Sequence, residues 1–403
     1  MNAADNGWVL VSSALVLLMT PGLAMFYGGM TRSKNVLSTM MHSFFLMGLA
    51  SIVWLFWGFS LAFAPDAVKG FVGGFNHFAL AGIGGDLWPK TTIPSTTYMI
   101  FQCMFAIITP ALISGAFAER MKFSSFIIFM VLWLTFVYSP VCHWVWGPGG
   151  WLAEMGALDF AGGTVVHINS GIAALACALI VGKRKGYGTA PMMPHNLTLT
   201  LLGSGLLWFG WFGFNAGSAL AANQSAAMAF VVTHMATAAA AISWVFTEWA
   251  VKGKPTTLGV ASGAVAGLVA ITPAAGFVGP VSSVIIGALA GAVCYFAVLA
   301  KASFGYDDSL DVVGIHCVGG IWGALATGLF AAKEIGGTDG LFFGNASQFG
   351  IQIVAVVATL IYSFVVSAII LMIVRSIVGL RVAEEEEVVG VDTSVHGEAG
   401  YNL

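Results

Sequence analysis

Two histidines, His167 and His316, are the side chains in this sequence best suited to move a proton. Each lies several residues into an otherwise apolar stretch. The first follows Asp159-Phe-Ala-Gly-Gly-Thr-Val-Val and the second Asp311-Val-Val-Gly-Ile, and small residues and glycine follow both. An imidazole changes its charge near neutral pH, and an ionisable group inside a bilayer is costly enough to mark a path or a relay. The alternative is structural: each ring could hydrogen-bond a neighbouring helix. Their corresponding placement in two similar segments favours a pair on a shared axis.

A second constellation is aromatic. Phe101 and Phe105 lie on one apolar run, Trp146 follows another, and Trp211, Phe214 and Ser218 share a third. Aromatic residues also belt membrane proteins at the interface without further function. Taken with Ser218 and an apolar pore, these rings could cage a cation, each contact contributing roughly 0.5 to 2 kcal/mol. Asp159, just ahead of Gly-Gly-Thr, is suited to cap a helix N-terminus, and its charge could also favour a cation at the mouth. Asp311 is expected to do the equivalent capping job ahead of His316.

Other ionisable residues are less informative. His42 and His234 read as satisfied core histidines, His77 and His143 fall near the outer surface, His195 precedes the sixth apolar run, and His396 is in the tail. The five cysteines include no close pair, and no HExxH or clustered His/Cys pattern suggests a metal site. No nucleophile constellation suggests an enzyme and no cofactor is implied. Haem ligation by the paired histidines is a rival reading, although no CxxCH attachment motif is present. A net charge of -3 without a basic block gives no reason to expect a nucleic-acid partner.

Composition dictates what must position these groups. Hydrophobic residues make up 58% of the chain and charged residues 8%, far from the roughly one quarter charged that soluble domains carry. The 51 glycines are spread through the apolar runs, as where helices approach closely in lipid. About 20 apolar residues span a bilayer core as a helix. Eleven such runs fall near 8-29, 36-63, 96-118, 123-144, 164-182, 197-221, 226-250, 258-275, 280-300, 310-331 and 348-378. The first has no Lys or Arg ahead of it and reads as a retained span. Of the fifteen Lys and Arg, all but Lys69, Lys90 and Lys333 then fall on one side, which the positive-inside rule makes cytoplasmic. The expected architecture is an all-α polytopic membrane protein with the N-terminus outside and the C-terminus inside.

The two histidine segments belong to runs five and ten. Five helices per half is odd, so the halves, about 8-182 and 197-331, would be inverted repeats with the working site between them near the midplane. The eleventh helix, about 348-378, lies outside the repeat. Residues 1-378 form the membrane domain and 379-403 a tail. Glu384 to Glu387 could be a solvated charge run, but the ordered-looking stretch Gly390 to Glu398 suggests that the tail docks.

Several segments together resemble the Amt/Mep/Rh family, specifically bacterial ammonium transporters, over essentially the whole chain: Phe-Tyr-Gly-Gly-Met from Phe26, Phe-Gln-Cys-Met-Phe from Phe101, Asp159 to His167, Gly-Trp-Phe-Gly-Phe-Asn-Ala-Gly-Ser from Gly210, Asp311 to His316, and the tail. The resemblance implies a homotrimer with one pore per subunit in a plasma membrane, the bacterial inner membrane. It implies an outer ammonium-recruitment site of Trp146, Phe105 and Ser218, with Asp159 the acidic residue near the mouth. Phe105 and Phe214 would be stacked across the pore, His167 and His316 would be the twin histidines of the lumen, and Trp211 would line it. Trp146 and Ser218 favour the ammonium-transporter branch over the Rh branch. A PII-type signalling protein is the implied partner at the cytoplasmic face. Ammonium would be captured, deprotonated and passed as ammonia, with the histidines available to relay the proton; an electroneutral ammonia channel and an ammonium sensor are the alternatives.

Overall fold

The computed structural model of the protein describes residues 1–401 and is built from helices; among the described residues only isolated bridge pairs, and no strands, interrupt them. Among the described residues, ten helices are long and apolar enough to cross a membrane: α1 (Ala3–Met30), α2 (Ser33–Phe63), α3 (Ser95–Phe117), α4 (Phe123–Trp133, continued to Ser139–Trp146), α5 (Gly163–Val181), α6 (Leu197–Gly217), α7 (Gln224–Lys252), α9 (Pro280–Phe304), α10 (Val313–Phe330) and α11 (Ala346–Val378). The remaining apolar helix, α8 (Thr257–Ile271), is shorter. The chain is a multi-pass membrane protein. Large apolar side chains such as Phe246, Phe296, Ile361 and Ile377 point outward and are more than half exposed, the arrangement that a lipid solvent permits.

Short polar side chains start the helices. Asn2 accepts from Ala4 N and Asp5 N, Asn196 from Leu199 N, Asn223 from Ala226 N, Thr256 from Gly259 N and Asn345 from Gln348 N, satisfying donors that lack an intrahelical partner. Small residues let the helices close up. A Cβ on Gly203 of α6 would stand 2.3 Å from Phe26 N on α1, and one on Gly287 of α9 would stand 2.0 Å from Ala236 O on α7. Backbone meets backbone at both places, so the close approach requires glycine.

Two expectations are corrected. The eighth run was expected over 258-275, but its helix ends at Ile271, where Thr272, Pro273 and Gly276 lie in a turned segment; a proline cannot continue the hydrogen-bond ladder. The sixth run was expected to 221, but its helix ends at Gly217 and Ser218 is the cap residue beyond it. His143, in the last turn of Ser139–Trp146, is fully buried, with Nδ1 2.9 Å from Ala62 O and Nε2 3.6 Å from Asp66.

The tail is docked. It forms two short helices, α12 (Glu384–Val389) and α13 (Val391–His396). Asp392 accepts from Leu37 N at 2.9 Å and Ser38 N at 2.7 Å at the start of α2, and Val391 N donates to Asn35 Oδ1. Glu387 pairs with Arg381 and accepts from Lys185 N. Arg120 O accepts from Val382 N, while its guanidinium donates to Gly182 O, Ala116 O, Asp307 O and Ser309 Oγ. The tail is thereby tied through Arg120 to the loop that leads into α10.

Candidate functional site

Both histidines sit in π turns, Gly163–Ile168 opening α5 and Val313–Cys317 opening α10. Such wide turns turn side chains inward at the cost of regular bonding and are frequent at functional sites. In the first, the left-handed Gly162 (φ 119°) admits the bend and Asp159 holds it. The Asp159 carboxylate accepts from Gly162 N, Gly163 N, Thr164 N and Val165 N and from the Thr164 hydroxyl. Asp159 thus caps the turn, and the cavities described below are bounded by other side chains. Ahead of His316 the corresponding cap is Asp308, whose Oδ2 accepts from Val313 N at 2.7 Å. This corrects the expectation for Asp311, which pairs with Lys301 and carries a left-handed backbone (φ 64°) that turns it away from the helix start.

The two broken helices cross at the histidines. His167 Nδ1 and His316 Nδ1 are 3.3 Å apart with ring planes inclined by 25°. A hydrogen bond between two Nδ1 atoms needs a proton on one of them and a bare lone pair on the other, so the neutral pair has two equivalent arrangements. Gly171 and Gly320, at the same offset after each histidine, make the crossing possible. A Cβ on Gly171 would meet Cys317 N at 2.3 Å and one on Gly320 would meet His167 Cβ at 3.1 Å.

Two cavities lie along the axis of this crossing. The smaller, about 10 Å3 or room for roughly one water, is bounded by His167, His316, Trp211, Phe214, Val166 and Leu207 with apolar side chains of α1, α3 and α8. The larger, about 310 Å3, is bounded by Phe101, Gln102, Phe105, Trp146, Phe160 and Ser218, with Tyr98, Val145 and Leu220. Phe105 borders the larger and Phe214 the smaller, and their rings meet with centroids 4.3 Å apart. The aromatic pair is the partition between the two spaces.

The walls are held in place from behind. Trp146 Nε1 donates to Asp159 O, so the indole ring is fixed edge-on to Phe105 with centroids 5.9 Å apart. Phe101 packs on Phe105 at 5.0 Å. Ser218 Oγ donates to Phe214 O, which leaves its lone pairs for a donor in the cavity. Trp211 Nε1 donates to Thr272 Oγ1 and its ring stacks on His167 at 5.4 Å. The structure therefore brings together His167, His316, Trp211 and Phe214 in one space and Phe101, Phe105, Trp146 and Ser218 in the other, with Asp159 in the supporting frame. Gln102, which was passed over, lines the larger cavity, and its Oε1 is buried with no partner among the described residues; the motif Phe-Gln-Cys-Met-Phe contained it, one residue after Phe101.

Charged groups gather on the side that carries the tail. Arg184 holds Asp307 with Nε and Nη2 on its two oxygens at 2.9 Å each, and Glu119 accepts from Arg32. Burial alone would push Asp307 upward, but Arg184 outweighs it and holds the carboxyl below its usual range.

These features define a class: a helical membrane protein with an aromatic-walled cavity, a small apolar cavity beside it and a histidine pair where two broken helices cross. The sequence profile of the Ammonium Transporter Family matches residues 7–401. An ammonium transporter of Bacillus subtilis strain 168 is 53% identical over 100% of this chain and 99% of its own length. The crystal structure of Saccharomyces cerevisiae Mep2 superposes with a TM-score of 0.91 at 37% identity, covering 96% of this chain and 88% of that one. A structure described as a sensor Amt protein also superposes with a TM-score of 0.91, at 31% identity over 97% of this chain and 98% of that one. The chain belongs to the ammonium transporter family.

Proposed function

We propose that this ammonium transporter captures ammonium in the larger cavity, strips one proton at the Phe105–Phe214 partition, and passes ammonia through the histidine-lined lumen while the histidines relay the proton. The observation that carries this reading is the partition itself: an aromatic cavity with polar acceptors on one side and a narrow apolar lumen with paired imidazoles on the other.

Ammonium offers only donors, so its site must supply acceptors and ring faces. Ser218 Oγ and the faces of Trp146, Phe101 and Phe105 supply them. The Trp146 N–H, which would repel a cation, is consumed by Asp159 O. Asp159 acts through this frame, holding Trp146 and the turn that bears His167. A bare cation entering the lumen would lose hydration at a cost of at least several kcal/mol, which ammonia does not face. Potassium has no proton to give up and stays outside.

The histidines titrate as a coupled pair; a proton arriving on one unbound ring nitrogen can leave from the other ring after the shared proton shifts. We further infer that the N-terminus is outside and the tail cytoplasmic in the plasma membrane, that the halves 8-182 and 197-331 are inverted repeats, and that three subunits assemble with one pore each. The matched pair of π turns and caps supports the repeat, and the concentration of Lys and Arg on the tail side supports the orientation. The docked tail offers a surface to a PII-type signalling partner. Deleting residues 384 to 403 should alter transport or partner binding, and no change in either would remove that role.

Jumps of ammonium and of potassium applied to proteoliposomes, with current and an internal pH dye recorded together, test the reading. A saturable current with ammonium alone supports it. Ammonia entry without current would leave an electroneutral channel, and neither current nor entry would leave a sensor.

A further inference from the structure

Asp159 and Asp308 stand at the same spacing before the two histidines, 159 to 167 and 308 to 316, and both cap the π turn that carries them. They differ in what is left over. Both oxygens of Asp159 are saturated by backbone and hydroxyl donors. Asp308 places Oδ2 on Val313 N, while its Oδ1 is buried and has no partner. A cap needs one oxygen, and an asparagine would provide it. A second carboxylate oxygen, buried and bare, is unfavourable for folding and calls for another reason.

We infer that Asp308 is the inner proton acceptor of this transporter: its free carboxylate oxygen takes the proton that the His167–His316 pair carries inward, and then releases it to cytoplasmic water. The step balances: an O–H bond forms on Asp308 as an imidazolium N–H bond breaks, neutral imidazole is restored, and Asp308 becomes charged again when the proton leaves. The proton would cross the space between them through water. The inference rests on the proposed relay.

The surroundings suit the task. Lys301 Nζ donates to Asp308 O at 2.9 Å and pairs with Asp311; that ion pair is about one fifth exposed and gives the buried carboxyl a link to solvent. The other titratable groups within electrostatic reach are Tyr27 on α1, Cys177 on α5, Arg184 after it, Tyr306 in the same loop and Cys317 on α10. Among these, Lys301 favours the charged form and Asp311 opposes it, but burial is the larger influence and pushes the Asp308 carboxyl up to about 6. A group with a pKa near the working pH can both accept and release a proton.

The test is the ammonium-evoked current of reconstituted wild type and D308N at internal pH from 5 to 8. In wild type the current should fall as internal pH drops through about 6, because a protonated Asp308 cannot accept. D308N should keep the cap, lose at least about tenfold of the current, and show no such pH step in what remains. D308N with the wild-type current and pH profile would overturn the inference and leave Asp308 a cap, with the relay untouched. A wild type that passes ammonia with no current at any pH would overturn the relay itself and this inference with it. Should D308N not reach the membrane, D308E decides: a displaced midpoint supports the assignment and an unchanged one overturns it.

Discussion

His167 Nδ1 stands 3.3 Å from His316 Nδ1, and each ring is delivered to that contact by a π turn at the start of a broken helix. The geometry makes one imidazole a donor and the other an acceptor at all times. In the neutral pair the two nitrogens turned away from that contact are therefore of opposite kind, one bare and one bearing a proton, which is what the proposed relay requires.

The crossing depends on two glycines that are not equally strict. The Cβ of Gly171→Ala would stand 2.3 Å from Cys317 N, whereas that of Gly320→Ala would stand 3.1 Å from its nearest neighbours, His167 Cβ and Ile168 N among them. Gly171→Ala should destabilise by about 1 to 3 kcal/mol, as overpacking does, and abolish transport; Gly320→Ala should be milder on both counts. Thermal unfolding in detergent beside transport activity measures the ranking, and an equal tolerance of both would contradict the close crossing.

The vestibule predicts an affinity effect. If the larger cavity is the ammonium site, as proposed, Trp146→Ala removes one of its ring faces, so the concentration giving half-maximal transport should rise about 2- to 30-fold, the range that corresponds to 0.5 to 2 kcal/mol. Because Trp146 lines the larger cavity and meets Phe105 but not the histidine-lined space, maximal transport should change less. Concentration series on wild type and variant distinguish this from a loss at all concentrations.

Much of this site was legible because chemistry in a membrane leaves few choices. His167, His316 and the aromatic set stand out against apolar runs, and Gly390 to Glu398 reads as a docked segment, which the bonds of Asp392 to Leu37 N and Ser38 N match. What escaped were features made by backbone geometry. Hydropathy cannot register a π turn, so Asp308 was overlooked for Asp311, whose left-handed conformation aims it at Lys301. Nor can hydropathy place the end of α8 at Ile271, since Thr272 to Val278 remain apolar after the helix has turned. Gln102 was hidden within a helical run by its bulkier neighbours.

The docked tail has its own measurable strength. Asp392 caps the start of α2 from a distant part of the chain, and Asp392→Ala should cost about 1 kcal/mol of that docking. Hydrogen exchange should quicken in residues 391–396 and at Leu37 and Ser38, with the remaining helices unaffected. Unchanged exchange would mean that Val391 N on Asn35 and the Glu387 contacts hold the tail alone.

Stability should depend on pH through Asp307. Its carboxyl is lowered from 3.8 because Arg184 outweighs burial, so the folded state binds its proton less readily than the unfolded chain. The stabilisation is therefore fully present above about 3.8 and is lost as pH falls through the lowered value. D307N should melt below wild type near neutral pH, and the gap should close as the pH is taken below 3.8. A gap independent of pH would assign the pair a packing role only.

The account turns on the histidine pair carrying the proton, and the most direct measurement is the current after an ammonium jump, beside an equal potassium jump, in wild type and in the double variant His167→Ala/His316→Ala. The account predicts a saturable current with ammonium alone in wild type, and in the double variant either an ammonium current reduced by at least about tenfold, within the range by which proton-transfer groups act, or a current that no longer distinguishes ammonium from potassium. An unchanged ammonium current with potassium still excluded would contradict it.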